Sequence, residues 1–176
     1  MKKTLVAYGI VITLTMVMGC ASTTRIAISR PPVQTASNPY FEVRFEPLKS
    51  SGNFFDSFRL TVSNKTDGNL AIDWNKTRYI YSGNAQEGFV FKGIAPKDVR
   101  TGTVPPDVVP ARQTVAKVIY PLKLIAWVPA QKRVLDEGLG PGLIPDGVSG
   151  ISLSIMLDGK EMTEEITVTI EEKVVQ

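Results

Sequence analysis

The side chains that could carry chemistry in this chain are carboxylates, hydroxyls, lysines, arginines and a single thiol, that of Cys20. The 176 residues contain no histidine, the commonest general base and metal ligand in proteins. A Ser-His-Asp triad, a Cys-His pair and a histidine-bearing zinc site are therefore impossible. One cysteine also excludes an internal disulfide. We expect a protein that is not an enzyme, with no catalytic residues, no metal site and no cofactor.

Carboxylates are the remaining route to catalysis, because a glycosidase needs only two acids at a set separation. Asp136 and Glu137 are adjacent in sequence, and neighbouring side chains usually point in different directions. Other aspartates are scattered among turn-forming residues: Asp56, Asp73, Asp98 and Asp107. Solvated turn residues are the simpler interpretation. A carboxylate-based enzyme would require two of these acids to meet in the fold.

Two glycine-rich segments lack the residues that would make them catalytic or nucleotide-binding loops. Residues 147–150 are one residue too short for a G-x-S-x-G nucleophile elbow, and no histidine is present to activate the serine. Residues 138–142 contain Pro141 and have no downstream Gly-Lys-Ser/Thr. We predict a turn at the first segment and a loop, running to Gly147, at the second.

Two groups of residues could form an interaction surface. Arg78, Tyr79 and Tyr81 combine a cation with aromatic rings, which are the usual anchors of a protein interface or a sugar-binding platform. Trp74 precedes them, but it is in phase with a predicted strand and is expected in the core. The second group is an apolar loop flanked by glycine and proline: Leu139, Leu143 and Ile144. Exposed, this loop would be a contact patch, and folded down it would cap one end of the domain.

Strands must position these side chains, because apolar and polar residues alternate along much of the chain. Five segments show this period of two: residues 41–46, 58–63, 70–74, 151–157 and 165–171. The Asn, Asp and Gly residues of 64–69 and the pair Asp158-Gly159 predict tight turns between neighbouring strands. Further strands are predicted in shorter or less regular runs: residues 78–81, 88–92, 115–120 and 122–128.

Only one helix is predicted, a short one over residues 129–137. The prolines of residues 101–112 predict a long connection or a ragged edge. About seven to nine strands with almost no helical period favour an all-β fold, an antiparallel immunoglobulin-like sandwich over residues 40–176. Residues 20–39 are polar and contain two prolines, so we predict a flexible tether there. An edge strand at residues 25–29 is the alternative.

The first residues have the composition of a signal peptide. Lys2 and Lys3 precede an uncharged apolar run at residues 5–18, which is too short to cross a bilayer comfortably but fits a secretory core. A buried N-terminal helix or a short anchor is the alternative.

Removing residues 1–19 lowers the number of basic residues from 20 to 18, against 17 acidic ones. Such a nearly neutral chain lacks the field that attracts nucleic acid, so we expect no nucleic-acid partner.

Residues 17–20 resemble the cleavage box of bacterial lipoprotein precursors, in which a small residue precedes the cysteine to be acylated. The resemblance implies diacylglycerol transfer to the Cys20 thiol, cleavage before Cys20 and acylation of its new amino group. It therefore implies a membrane partner through the N-terminal acyl chains. Ala21 follows the cysteine, where an aspartate often signals inner-membrane retention in this family. The resemblance therefore implies the outer membrane in a two-membrane bacterium, and it does not imply which face. We expect the periplasmic face.

The middle of the chain resembles small immunoglobulin-like envelope domains, in which a strand ends at Asn, an aliphatic strand follows and a proline turn precedes a later strand. The segments concerned are residues 58–64, 70–74 and 109–114. This resemblance implies a fold and no activity. We expect a lipid-anchored envelope protein that binds another protein as an accessory or assembly subunit of a membrane complex. The alternative is a lipoprotein that binds a small ligand or glycan through Arg78, Tyr79 and Tyr81.

Overall fold

The computed structural model describes residues 23–129, 133, 135 and 138–175. Most regular structure in these residues is antiparallel strand, arranged in two main sheets that share one apolar core. The prediction of an all-β antiparallel sandwich is confirmed. Cys20 and the signal peptide predicted over residues 1–19 lie outside the described residues.

The described residues contain more strands than the seven to nine predicted. Three of the strands that were not predicted are only two or three residues long, and two are polar edge strands near the start of the described residues. The strands are β1 (Thr24–Arg30), β2 (Gln34–Ser37), β3 (Phe41–Leu48), β4 (Ser57–Asn64), β5 (Leu70–Ile72), β6 (Arg78–Tyr81), β7 (Asn84–Ala85), β8 (Phe89–Val90), β9 (Asp107–Val109), β10 (Thr114–Pro121), β11 (Ile125–Trp127), β12 (Leu139–Pro141), β13 (Gly147–Leu157) and β14 (Lys160–Val175). Helix α1 (Pro96–Thr101) and a 3-10 helix (Leu122–Leu124) are the helical elements described.

The first sheet has the order β1-β14-β13-β5-β9, with β6 also paired to β13 and β7 paired to β6. The second sheet has the order β2-β3-β4-β10-β8, and β11 and β12 form a separate two-stranded ribbon. From β7 to β9 the chain passes from the first sheet to the second and back. This connection, which includes α1, therefore runs across the open side between the sheets.

The core follows directly from the alternation of apolar residues. In β3, Phe41, Val43 and Phe45 are at most 1% exposed, whereas the residues between them face outward. Phe45 stacks on Phe58 of the neighbouring strand β4, with ring centroids 4.3 Å apart. Alternate aliphatic residues of β13 and β14 supply the opposite side of the core. The side-chain period of a strand therefore decides which face of each sheet is buried.

The predicted tether over residues 20–39 is wrong from Thr24 onward. Strand β1 pairs with β14 from Thr24↔Val175 to Arg30↔Thr169, and β2 pairs with β3. The alternative of an edge strand at residues 25–29 is the arrangement observed. Strands β1 and β2 are polar because both lie at the edge of a sheet and bury few of their side chains. Their composition therefore resembles that of a tether. Strands β1 and β2 therefore belong to the domain that was predicted to begin at residue 40.

The helical prediction also needs correction. Helix α1 lies at Pro96–Thr101, inside a segment for which no helix was predicted. Most of the helix predicted over residues 129–137 falls outside the described residues, and residues 129, 133 and 135 are not helical. Part of the predicted loop after residue 138 is strand β12, which pairs with β11. Such short pairings depend on contacts between distant residues and give no local period to detect.

A polar cluster joins the two sheets at the side crossed by α1. Asp107 of β9 accepts a hydrogen bond from Trp74 Nε1 at 2.9 Å and forms an ion pair with Lys117 of β10. The Lys117 ammonium lies 3.9 Å from the centroid of the Phe91 ring and 5.5 Å from that of Trp74. These contacts connect the edge of the first sheet to a strand of the second, without a disulfide.

We predict that Asp107→Ala destabilises the domain by about 1 to 3 kcal/mol, because it leaves the Trp74 N–H and the Lys117 ammonium without their acceptor. Lys117→Met should cost less, since methionine keeps the contact with Phe91 and Asp107 keeps its bond from Trp74. Urea unfolding of the three proteins at neutral pH measures the difference. Equal stability of Asp107→Ala and the unaltered protein would contradict this role.

Candidate functional site

The structure buries the aromatic residue at the centre of the first predicted surface. Tyr79 is 2% exposed, and its hydroxyl lies 2.9 Å from Ser149 Oγ. Trp74 is 1% exposed, as the sequence predicted. Tyr79 faces the core beside Phe58 and Phe89, with centroids 6.3 Å and 6.0 Å away. The proposed platform of Arg78, Tyr79 and Tyr81 is therefore not assembled on one exposed face.

The two flanking residues have structural hydrogen bonds. Arg78 Nη1 donates to the carbonyl oxygens of Asn75 and Thr77, at 2.7 Å and 2.9 Å. The Tyr81 hydroxyl donates to the carbonyl oxygen of Asp146 at 2.8 Å. Both side chains are half-buried. Each one stabilises a turn next to β6, and they do not converge on a common site.

The second predicted surface is mostly folded into the domain. Leu139 is 7% exposed and Ile144 is 4% exposed, whereas Leu143 is 58% exposed. The Ile144 N–H donates to the carbonyl oxygen of Phe55 at 2.8 Å, which fixes this segment against the loop between β3 and β4. The alternative in which the loop caps one end of the sandwich is therefore the one observed. Leu143 is left exposed by itself.

The aspartates considered as catalytic candidates have local structural partners. Asp56 accepts bonds from the hydroxyls of Ser50 and Ser57, both at 2.8 Å. Asp73 accepts the N–H of Asn75, and Asp98 accepts the N–H of Ala95 at the start of α1. In the described part of the chain, no three His, Cys, Asp or Glu residues are grouped as metal ligands would be. Asp136 and Glu137 lie outside the described residues.

The most distinctive surface feature is a groove between α1 and the β11–β12 ribbon, which we call the Trp127 groove. Its volume is about 290 Å³. Trp127 is 76% exposed, the largest exposed fraction of any large apolar side chain in the described residues. The residues that define the groove are Lys97, Arg100, Leu122, Ile125, Trp127 and Leu139.

A small second core holds the ribbon in place and so shapes the groove. Leu122, Leu135 and Leu139 are buried with Val90 of β8 and Tyr120 of β10. Ile125 packs against this cluster from the ribbon. Because the cluster lies under one face of the ribbon, it supplies an apolar floor next to the exposed Trp127 ring.

Cationic side chains line the groove together with the exposed tryptophan. Lys97 and Arg100 are three residues apart on α1, so they lie on one side of the helix. Arg100 Nε is 3.7 Å from Glu87, a contact between exposed groups. On the ribbon side, Gly138 has a φ of +76°, and a Cβ there would lie 3.0 Å from the Trp127 ring and 3.1 Å from Arg133 Nε. Trp127 and Arg133 therefore share the space that this glycine leaves open.

The sequence does not predict the Trp127 groove, because neither of its walls has a clear local signal. Trp127 lies only within the predicted strand over residues 122–128. Pro96, followed by Asp98, is a typical helix start and could have indicated α1. The pairing of residues 125–127 with 139–141 is set by the second core, which sequence alone does not reveal.

The buried Tyr79 predicts a loss of stability in alkali. Burial raises the pKa of its hydroxyl above the ordinary value of 10.0, and the Ser149 hydrogen bond offsets part of this effect. The unfolded chain releases the proton near pH 10 while the folded chain retains it, so the free energy of unfolding should fall as pH rises above 10.

Tyr79→Phe should reduce this loss, measured as the difference in urea unfolding between about pH 8 and about pH 11. Burial also raises the pKa of Tyr120, so part of the loss should persist in the variant. Tyr40→Phe, at a tyrosine that is 43% exposed, is the matched control. An identical loss in Tyr79→Phe and the unaltered protein would disprove the assignment.

Comparison of the chain with protein-family models, with curated proteins and with solved structures found no match. The resemblances to lipoproteins and to immunoglobulin-like envelope domains therefore stay predictions. Among the residues that the structure describes, no helix is long and apolar enough to cross a membrane. The function of the Trp127 groove has to be inferred from the residues that line it.

Proposed function

We propose that this protein is a lipid-anchored bacterial envelope protein that binds another protein, as a non-enzymatic accessory or assembly subunit of a membrane complex. The Trp127 groove is the contact surface in this proposal. The observation that carries it is the 76% exposure of Trp127 beside an apolar floor and two cationic side chains. Tryptophan and arginine are the residues most enriched among those that dominate binding energy at interfaces.

Trp127 differs from the other exposed apolar residues in its surroundings. Tyr40, Val108 and Val174 are also exposed, but none of them lines the groove. Single exposed apolar residues are normal on a protein surface and need no function. Trp127 projects from a ribbon that is held by its own small core, and together with Leu122 and Leu139 it lines a concave surface. A partner side chain could therefore be enclosed on several sides.

The anchor would keep this surface close to the membrane. The resemblance of residues 17–20 to a lipoprotein cleavage box implies that Cys20 carries the acyl chains, and two or three such chains give durable attachment. Strand β1 begins at Thr24, and the four residue steps from Cys20 span at most about 14 Å. In this proposal the start of β1 lies at the bilayer, on the periplasmic face of the outer membrane.

Protein binding is better supported than the glycan-binding alternative. That alternative required Arg78, Tyr79 and Tyr81 on one surface, and Tyr79 is in the core. The absence of histidine and the structural hydrogen bonds of the aspartates favour a protein without catalytic activity. Recovery of no protein partner would favour the binding of a glycan or another small ligand as the function.

We predict that a photoreactive benzoyl-phenylalanine at position 127 forms a crosslink to one recurrent protein in the native envelope. The same residue at position 40, which is also exposed, should not, because Tyr40 lies outside the groove. Mass spectrometry identifies the product. After treatment of the native envelope with a general chemical crosslinker, the partner should not co-purify with the Trp127→Ala variant. Recovery of the acylated protein alone, with no crosslink at position 127, would contradict the proposal.

We predict that Cys20→Ser moves the protein from the membrane to the soluble fraction, because the thiol that accepts the diacylglycerol is gone. Fractionation of the envelope followed by immunoblotting measures this change. The size of the variant must be compared with that of the mature protein, since an uncleaved precursor could stay bound through residues 5–18. A variant of mature size that remains in the membrane would rule out acylation of Cys20 as the anchor.

A further inference from the structure

We infer that the segment bound in the Trp127 groove is an acidic, extended peptide segment of the partner, with an apolar side chain between its carboxylates. This inference rests on the proposed function, because it specifies the chemistry of the partner at the same groove. Three features support it independently of the anchor: the charge around the groove, its apolar floor and the free edge of β11.

The charged side chains among the described residues that line the groove are cationic. Lys97 and Arg100 are exposed on the α1 side, and no carboxylate is among the described residues that line the groove. Arg133 is exposed beside the Trp127 ring. Glu87 contacts Arg100 at 3.7 Å, but a contact between exposed groups contributes little and can be exchanged for a partner carboxylate. Complementary charge therefore points to an anionic segment.

The apolar floor of the groove indicates that the bound segment also supplies an apolar group. Leu122 and Leu139 are buried to 2% and 7% exposure in the second core, and Trp127 stands beside them. A phosphate or another small anion would satisfy the cations and leave the indole ring in water. A peptide segment supplies both groups, since successive side chains of an extended chain point to opposite sides. The carboxylates would face α1 while the apolar side chain packs on Trp127.

The backbone of β11 favours an extended segment. The Val128 N–H donates to the carbonyl oxygen of Gly138, and the Gly142 N–H donates to that of Leu124. Hydrogen-bonded pairs alternate along an antiparallel ladder, so the N–H and C=O of Trp127 point away from β12. Within the described residues, β11 pairs with β12 only. On this outer edge the Ile125 N–H donates to the carbonyl oxygen of Leu122, so the N–H and C=O of Trp127 are the pair that can bond to a further strand, as in peptide recognition by strand addition.

The test titrates the purified full-length chain, held in neutral detergent micelles, with three synthetic peptides that differ only in charge. Leucine and phenylalanine alternate with glutamate in the first peptide, with glutamine in the second and with lysine in the third. The readout is tryptophan fluorescence, because the chain has two tryptophans and Trp74 is already buried. Trp127→Phe removes the reporting ring. Micelles doped with phosphatidylglycerol test an anionic lipid surface in parallel.

The glutamate peptide is expected to shift the Trp127 emission to shorter wavelength and to bind about tenfold more tightly than the lysine peptide. Added salt should weaken this binding. The double variant Lys97→Glu, Arg100→Glu should lose about tenfold in affinity. The control Arg44→Glu, Lys160→Glu makes the same change in net charge at exposed positions outside the groove and should bind normally.

The inference is overturned if the three peptides bind equally, if the double variant keeps its affinity, if only the anionic micelles shift the emission, or if no probe does. These outcomes separate it from the proposed function. A crosslink at position 127 that survives Lys97→Glu, Arg100→Glu would leave protein binding intact and remove the acidic partner. Failure of the crosslink at position 127 would overturn the proposed function whatever the peptides do.

Discussion

The fold depends on one apolar layer that two antiparallel sheets must share, in a chain that has a single cysteine and so no internal disulfide. The stacked rings of Phe45 and Phe58 lie in this layer, and Trp74 and Phe91 pack together at its side, with centroids 4.7 Å apart. Burial of these faces supplies most of the stability of such a domain. Polar groups are confined to places where they find partners: in the described part of the chain, no buried side-chain nitrogen or oxygen lacks a hydrogen bond.

The sheets are joined at their edges by a few polar side chains. Asn64, at the end of β4, donates to the carbonyl oxygens of Gly68, Val109 and Pro110, so the turn after β4 and the end of β9 are held together. Asp107 accepts a hydrogen bond from Trp74 and forms an ion pair with Lys117, so it joins β9 to β10. The aspartates considered for catalysis that the structure describes are thus occupied in holding turns and edges: Asp56, Asp73, Asp98 and Asp107. The proposed binding surface lies outside the sandwich itself.

That surface exists because the chain crosses the open side of the sandwich and leaves two short elements there. Helix α1 has no buried residue and the β11–β12 ribbon buries only Leu139 and Gly140, and neither element is long enough to cover the other. Trp127 and the cations of α1 remain in solvent between them. With an acyl chain on Cys20 and β1 beginning at Thr24, the domain would sit against the membrane. In the proposed arrangement, partner segments would then be met at a fixed height above the bilayer.

Local sequence patterns predict the all-β class, most of the long strands, the burial of Trp74 and the closing hairpin of β13 and β14, because each of these follows from a period of two or from turn residues within a few positions. They also carry the resemblance of residues 17–20 to a lipoprotein box. Contacts between distant parts of the chain, in contrast, place residues 24–30 and 34–37 in edge strands, bury Tyr79 and leave Trp127 exposed. Edge strands and short ribbons are stabilised by partners distant in the chain, and the same aromatic side chain can face the core or the solvent according to which strands lie beside it. Local pattern fixes the alternation of a strand, whereas the neighbouring sheet decides which alternate face meets water.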